Sequence, residues 1–355
     1  MAIRQLSLTD FRNLRSTTLE FDADVNLISG DNGSGKTSLL EAIYVLCQAD
    51  SFRSHQIRQC VCHGKSGFLL FGRFADFKAG LAKSDRKLEI HVNGEVIKRR
   101  SDLVRRVPVQ IVNANSFALI DGPPQQRRSF IDWGLFHVEQ SYVENWLELR
   151  HALKQRNRLL KSRRDLQLLD YWDEHLVIPS TKLYQMRRRQ CESIRDLLSS
   201  EFADFLHDIP VEIEYQRGWS DDVDLKDALA SQRKRDVLSG FTNSGIHRDD
   251  LLFTTNGIKV TEVLSRGQSK RLCMALLMAS LQLVGRGTGK RIILLIDDLQ
   301  SELDSAAQQR VYQKLMTMDL QLFVSNISTG PPEGLAKDFK MFHVEHGTIK
   351  PRNFS

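Results

Sequence analysis

The chain of 355 residues contains no uninterrupted apolar run long enough to cross a bilayer, which takes about 18 residues, so a membrane-spanning helix is excluded. The opening MAIRQLSLTDF places Arg4 and Asp10 where a secretory signal needs its apolar centre; export is not expected, and a cytoplasmic protein is. Cysteine is sparse: Cys47, Cys60, Cys62, Cys191 and Cys273 are odd in number and follow no framework spacing, which fits free thiols in a reducing compartment. Cys60, Cys62 and His63 lie close together, yet no second cluster completes a tetrahedral metal set. Internal repeats and low-complexity segments are absent, and no aromatic-rich stretch suggests a platform for stacking unpaired bases. With 41% hydrophobic and 26% charged residues, the chain is not of disordered composition.

Charge of one sign is scarcely in excess, at +6 overall, but its distribution is uneven. Between Arg150 and Arg189 eleven basic residues face four acidic ones, so this segment alone accounts for the net charge. Within 140–205 the apolar positions Trp146, Leu149, Leu153 and Leu160 recur at helical spacing, and further helices are expected after a break at Pro179. Heptads are not sustained, so a compact helical lobe is expected rather than a coiled coil. Three strands open the chain over 2–8, 18–22 and 25–29, and Asn93-Gly94 and Asn256-Gly257 mark hairpins. The polar stretch 216–236 reads as a return path. Ile292–Ile296 reads as a strand buried on both faces.

Gly30-Asp31-Asn32-Gly33-Ser34-Gly35-Lys36-Thr37 fits G-x-x-x-x-G-K-[ST] between an expected strand and an expected helix. In that context glycines turn backbone N–H groups inward around phosphates, Lys36 reaches the β- and γ-phosphates of ATP, and the Thr37 hydroxyl sits on Mg²⁺. The apolar run 292–296 then delivers Asp297 to hold the hydrated Mg²⁺ and Asp298 to orient or deprotonate the attacking water. Leu264-Ser265-Arg266-Gly267-Gln268 precedes a helix that Ser265 can cap. Beside the two preceding motifs it resembles the signature of the ABC-type ATPases, whose site is completed across an ATP-bound dimer, and Ser301-Glu302-Leu303-Asp304 matches their D-loop position. Ser265, Gly267 and Gln268 are therefore candidate nucleotide contacts from a second copy.

The interval from Thr37 to Leu264, 227 positions, is far longer than in a transporter subunit, which disfavours transport. Leu8-Thr9-Asp10-Phe11-Arg12-Asn13-Leu14 resembles the opening of the chromosome-maintenance branch, where the residues matching Arg12 and Asn13 approach the nucleotide; read locally, both are also ordinary turn residues. The stretch from Gly122 to Asp132, Leu153–Asn157, His247–Leu251 and Phe342–Gly347 narrow the resemblance to the RecF family of bacterial recombination mediators, over nearly the whole chain. His247, Asp249 and Asp250 read by themselves as a salt-bridge cluster rather than a metal site.

The resemblance implies an α/β ABC-type head built from both chain ends, with residues 1–121 and 237–355 flanking an inserted helical basic lobe at 122–236. It implies an ATP-dependent homodimer that binds duplex, gapped or junction-containing DNA, works with RecR and RecO in placing RecA on gaps, and supports the SOS response. Arg163, Arg164, Arg187 and Arg188 are the expected phosphate contacts. Asp298 replaces the glutamate of transporters, and Ser325-Asn326 stands where a histidine usually meets the γ-phosphate, so only weak DNA-stimulated hydrolysis is expected. Gln110 is the candidate regulatory glutamine. A transporter ATPase subunit and a P-loop kinase are the alternatives; the second leaves LSRGQ without a role.

Overall fold

Residues along Phe68–Phe74 alternate buried and exposed without interruption, whereas Val25–Ser29 and Ile292–Ile296 are buried at every position. The first pattern makes a strand with one wet face, the second a strand covered on both. These two kinds of strand build the two sheets of one unit, Met1–Ser116 with Thr288–Ser355, in a computed structural model that describes residues 2–54, 56–326, 330–335 and 338–352. The antiparallel sheet comprises β1 (Ile3–Thr9), β2 (Thr17–Glu20), β4 (Phe68–Phe74), β5 (Lys78–Lys83), β6 (Leu88–Val92) and β7 (Glu95–Val96), in the order β2-β1-β4-β5-β6-β7. The second sheet takes β3 (Val25–Ser29), β8 (Val109–Val112), β12 (Ile292–Ile296), β13 (Leu320–Asn326), β14 (Lys340–Glu345) and β15 (Thr348–Arg352), in the order β15-β14-β3-β13-β12-β8. Its pairs are parallel except for the β14–β15 hairpin.

Helix α1 (Lys36–Gln48) touches strands of both sheets and buries Leu39, Leu40, Ile43 and Leu46 in their shared core. Short α2 (Arg100–Val104) and α10 (Ser305–Leu315), capped by the Asp304 carboxylate on the Ala307 N–H, are the other α-helices among the described residues of this unit. Parallel pairing aligns β3, β13 and β12 so that their C-terminal ends come together, the edge at which open α/β sheets bind ligands.

The other unit, Phe117–Gly287, is mainly helical: α3 (Ala118–Asp121), α4 (Pro124–Val138), α5 (Tyr142–Ser162), α6 (Leu169–Ser200), α7 (Leu225–Ser239), α8 (Val260–Val263) and α9 (Arg266–Thr288), with a small sheet of β9 (Glu212–Gln216), β10 (Asp250–Thr255) and β11 (Ile258–Lys259). Three features differ from the sequence-based expectation. Pro179 does not break the chain, because Leu176, Pro179 and Leu183 form one buried stripe whose packing outweighs the roughly 3 kcal/mol cost of an interior proline. Most of α7 lies in the polar stretch expected as a return path, started by Asp224 on the Asp227 N–H and stopped just beyond it by left-handed Gly240. The unit runs to Gly287 rather than ending at 236, so the LSRGQ segment belongs to it.

Candidate nucleotide site

The loop between β3 and α1 is shaped by three glycines with φ of 146°, 79° and 122° at Gly30, Gly33 and Gly35. A Cβ on Gly30 would lie 2.2 Å from the Val344 carbonyl oxygen, and one on Gly35 would lie 2.8 Å from Leu14, so close packing as well as backbone conformation demands glycine. The turn of the β14–β15 hairpin buttresses the loop: the Gly347 N–H donates to Ser34 O (2.9 Å) and Gly347 O accepts from the Arg15 N–H (2.8 Å). Ser29 Oγ and His343 Nδ1 lie 3.3 Å apart beneath it. Residues 342–347, which the sequence offered only as a family resemblance, thus act as the back wall of the phosphate loop.

Lys36 Nζ donates to the carbonyls of Gly30 (2.6 Å) and Asp31 (2.9 Å). Burial pushes its pKa below the usual lysine value, against the opposing pull of Asp298, Asp297 and Asp31. Thr37 Oγ1 donates to both carboxylate oxygens of Asp297 (3.1 and 2.9 Å), joining the phosphate loop to the end of β12 across 260 residues. Ser325 Oγ donates to Asp297 Oδ1 (2.8 Å) and accepts from the Asp298 N–H (3.0 Å). The position noted for its missing histidine therefore contributes a hydroxyl that orients the candidate metal ligand. Asp298 adopts φ 54°, and its Oδ1 is buried with no hydrogen-bond partner among the described residues.

A cleft of about 630 Å³ opens here, lined among others by Asn32, Gly33, Lys36, Thr37, Asp297 and Asp298. Arg12 and Asn13 line it too, but through fixed side chains: Arg12 forms a bidentate pair with Glu41 (2.8 and 2.6 Å), and Asn13 Oδ1 accepts from Ser38 Oγ (2.8 Å). Burial would raise the Glu41 pKa, but bonds from Arg12 and Ser51, with the Arg12 and Arg53 charges, hold it below the usual glutamate value. Glu41 was absent from the sequence candidates. Its one visible signal was a charge on an otherwise apolar face of α1. Arg53, Cys62 and His63 also line the cleft and were not assigned to it from sequence. Cys60 is buried against Glu41 with its pKa pushed up to about 12, which opposes a thiolate ligand. No group of three metal-ligating side chains occurs among the described residues. Gln110 lies within β8 opposite Leu294, one register pair short of Ile111 and two short of the strand's end, rather than at the edge that holds Asp297.

In the second unit the signature segment is a capping box. Ser265 Oγ accepts from the Gln268 N–H (3.3 Å) and Gln268 Oε1 accepts from the Ser265 N–H (3.0 Å), while Gly267 is exposed, with nothing within 4 Å of an added Cβ. Of the four expected DNA-contacting arginines, Arg163 and Arg164 stand exposed at the α5–α6 turn, and Arg188 is exposed beside Glu192 (3.0 Å). Arg187 is a correction. It is 4% exposed and clamped by Asp132 (2.8 Å) and Asp249 (2.7 Å), so it holds α6 inside the unit and has no free face for phosphate. Arg156 is likewise fully buried between Asp173 and Asp236. Asp249 and Asp250 pair with Arg187 and Arg127 rather than forming a metal site.

Residues 2–350 match the family model described as the RecF/RecN/SMC N-terminal domain. The DNA replication and repair protein RecF of Shewanella woodyi is 38% identical over 98% of both chains, and that of Shewanella halifaxensis is also 38% identical with 98% coverage of each.

The chain belongs to the RecF family.

A solved structure of the recombination mediator protein RecF with ATP, in the RecFOR pathway, superposes with a TM-score of 0.87 at 26% identity, covering 99% of this chain and 98% of that one. An Smc head bound to the C-winged helix domain of ScpA shares the fold, with a TM-score of 0.62 at 15% identity. The RecF-family chain thus has the ABC-type α/β head architecture expected from its motifs. Among the described residues no helix is long and apolar enough to cross a membrane.

Proposed function

We propose that this RecF-family chain binds ATP with Mg²⁺ in the Lys36–Asp297 cleft, dimerises on ATP, and binds DNA at gaps or single-strand/double-strand junctions in recombinational repair and replication-fork maintenance. RecR and RecO are its partners in helping to load recombinase and in supporting the SOS response. The observation that carries the reading is the Thr37–Asp297 contact, which sets a hydroxyl and a carboxylate at one point, the hard oxygen donors that suit Mg²⁺. Bound there, Mg²⁺ would neutralise charge on the β- and γ-phosphates. The chain's own residues do the rest: the glycine loop presents N–H groups, Lys36 exchanges its carbonyl partners for phosphate oxygens, and Asp298 orients water for slow hydrolysis. The capping box of Ser265 and Gln268, with Ser265 and Gly267 exposed, supports a γ-phosphate contact from a second copy, since the positive end of a helix favours an anion. The transporter alternative has no observation in its favour.

Sedimentation with and without ATP tests the composite site. Wild type should become dimeric with ATP, Ser265→Arg should stay monomeric while still binding ATP, and Asp298→Asn should accumulate the dimer. Normal dimerisation of Ser265→Arg would overturn the model.

A further inference from the structure

The α5–α6 hairpin carries a cluster of rings, three of them within residues 171–175 and a fourth brought in from the facing helix. Tyr171 and His175 lie with centroids 4.0 Å apart and planes inclined by 35°, Trp172 lies edge-on 5.1 Å from Tyr171 and 5.8 Å from His175, and His151 from the facing helix lies edge-on 5.6 Å from Trp172. The rings are not core: Tyr171 is 52% exposed, His151 and His175 are exposed, and Trp172 is half-buried. The His175 ring is held beside Tyr171 by a 2.8 Å bond between Nδ1 and the Tyr171 carbonyl.

Charge around the cluster selects its occupant. Lys154 and Arg158 follow His151 at three and seven positions, on the same face of α5, and both are exposed. The carboxylates interspersed on α6 are turned toward α7, where Asp170 pairs with Arg233 (2.5 Å) and Glu174 with Lys226 (3.5 Å). Exposed π faces beside free cations are the combination that holds single-stranded nucleic acid: bases stack on rings while Lys and Arg follow the phosphates.

We propose that His151, Tyr171, Trp172 and His175 form a stacking platform for unpaired bases, with Lys154 and Arg158 holding the adjoining phosphates. The inference rests on the DNA-binding reading above and deepens it: the platform distinguishes a junction from continuous duplex. Such stacking is tolerant of base identity, because every base presents a π face.

The test uses the full-length protein with ATP and two probes, a blunt duplex and the same duplex with an oligothymidine tail, at one salt concentration. Wild type should prefer the tailed probe, by on the order of tenfold for each base that stacks. Tyr171→Ala with His175→Ala should lose that preference while keeping its affinity for blunt duplex within about twofold, and Tyr171→Phe should retain it. The tailed probe should also quench an emission component that Trp172→Phe removes. A tail preference that survives the double substitution would overturn the platform and leave the patch to a protein partner. Equal loss of affinity for both probes would overturn it as well. If wild type bound neither probe, the DNA reading itself would fall, whereas blunt-duplex binding with no tail preference would remove the platform alone.

Discussion

Lys36 in the cleft and Arg187 in the helical unit are both buried cations, yet their partners differ in kind. Lys36 is held by two backbone carbonyls, which satisfy two of its three donors without cancelling its charge, and burial lowers its pKa. Arg187 is held by two carboxylates; burial works against its charge, but the attraction of Asp132 and Asp249 prevails and its pKa is raised. A buried cation on carbonyls can exchange them for an incoming anion at modest cost. One neutralised by carboxylates is already committed, and removing it strands the acids. The contrast is local to these two cations: at Lys36 the charge is left without a counter-charge in direct contact, and at Arg187 it is closed by carboxylates.

The sharpest way to break this comparison is to exchange the consequences of the two substitutions. Arg187→Ala should destabilise the protein by about 3–5 kcal/mol, because Asp132 and Asp249 would lose their counter-charge. Lys36→Ala should change stability by less than about 1 kcal/mol while nearly abolishing ATP binding. Thermal or denaturant unfolding with nucleotide titration reads both effects, and a stable Arg187→Ala protein that had lost only DNA affinity would restore Arg187 to the surface. Gly347→Ala should have an intermediate effect. At φ 76° its Cβ would lie 1.9 Å from Asn13 O, so the hairpin must withdraw from the phosphate loop, and ATP affinity should fall with a strain penalty of about 1–3 kcal/mol. Calorimetric titration of ATP would show this, and unchanged affinity would mean that the hairpin is no support.

The smallest effect on stability, within about 0.5 kcal/mol, is expected for Arg163→Glu, Arg164→Glu and Arg188→Glu combined, since all three side chains are exposed. Their effect should appear in DNA binding: weaker affinity for every sequence, and a salt dependence flatter by about 0.9 in log K per log[salt] for each phosphate that is no longer neutralised. An unaltered slope would move the duplex-binding surface elsewhere, with Lys98–Arg106 the next segment to substitute.

The phosphate loop and the Asp297 strand were legible from sequence. Each motif is short and its backbone requirements are local: a glycine with positive φ, a lysine at the first helical position and an acid past an apolar strand are each satisfied within a few residues. Hairpins at Asn93-Gly94 and Asn256-Gly257 were legible for the same reason, since left-handed φ at both turn positions selects those residues. Strand β5 was not, because Lys78, Gly80 and Lys83 dilute its pattern and the strand is defined by pairing with β4 and β6. Helix α7 carried a cap and a stop, but only Leu225, Ala228 and Leu229 mark its apolar face. Tertiary structure alone decided which arginines of the basic segment are free, that Glu41 anchors Arg12, that Gly347 supports the phosphate loop, and that His151 joins Tyr171, Trp172 and His175. Each of these depends on partners remote in the chain, and a charge or a ring in a sequence does not reveal whether folding will bring it a carboxylate, a carbonyl or solvent.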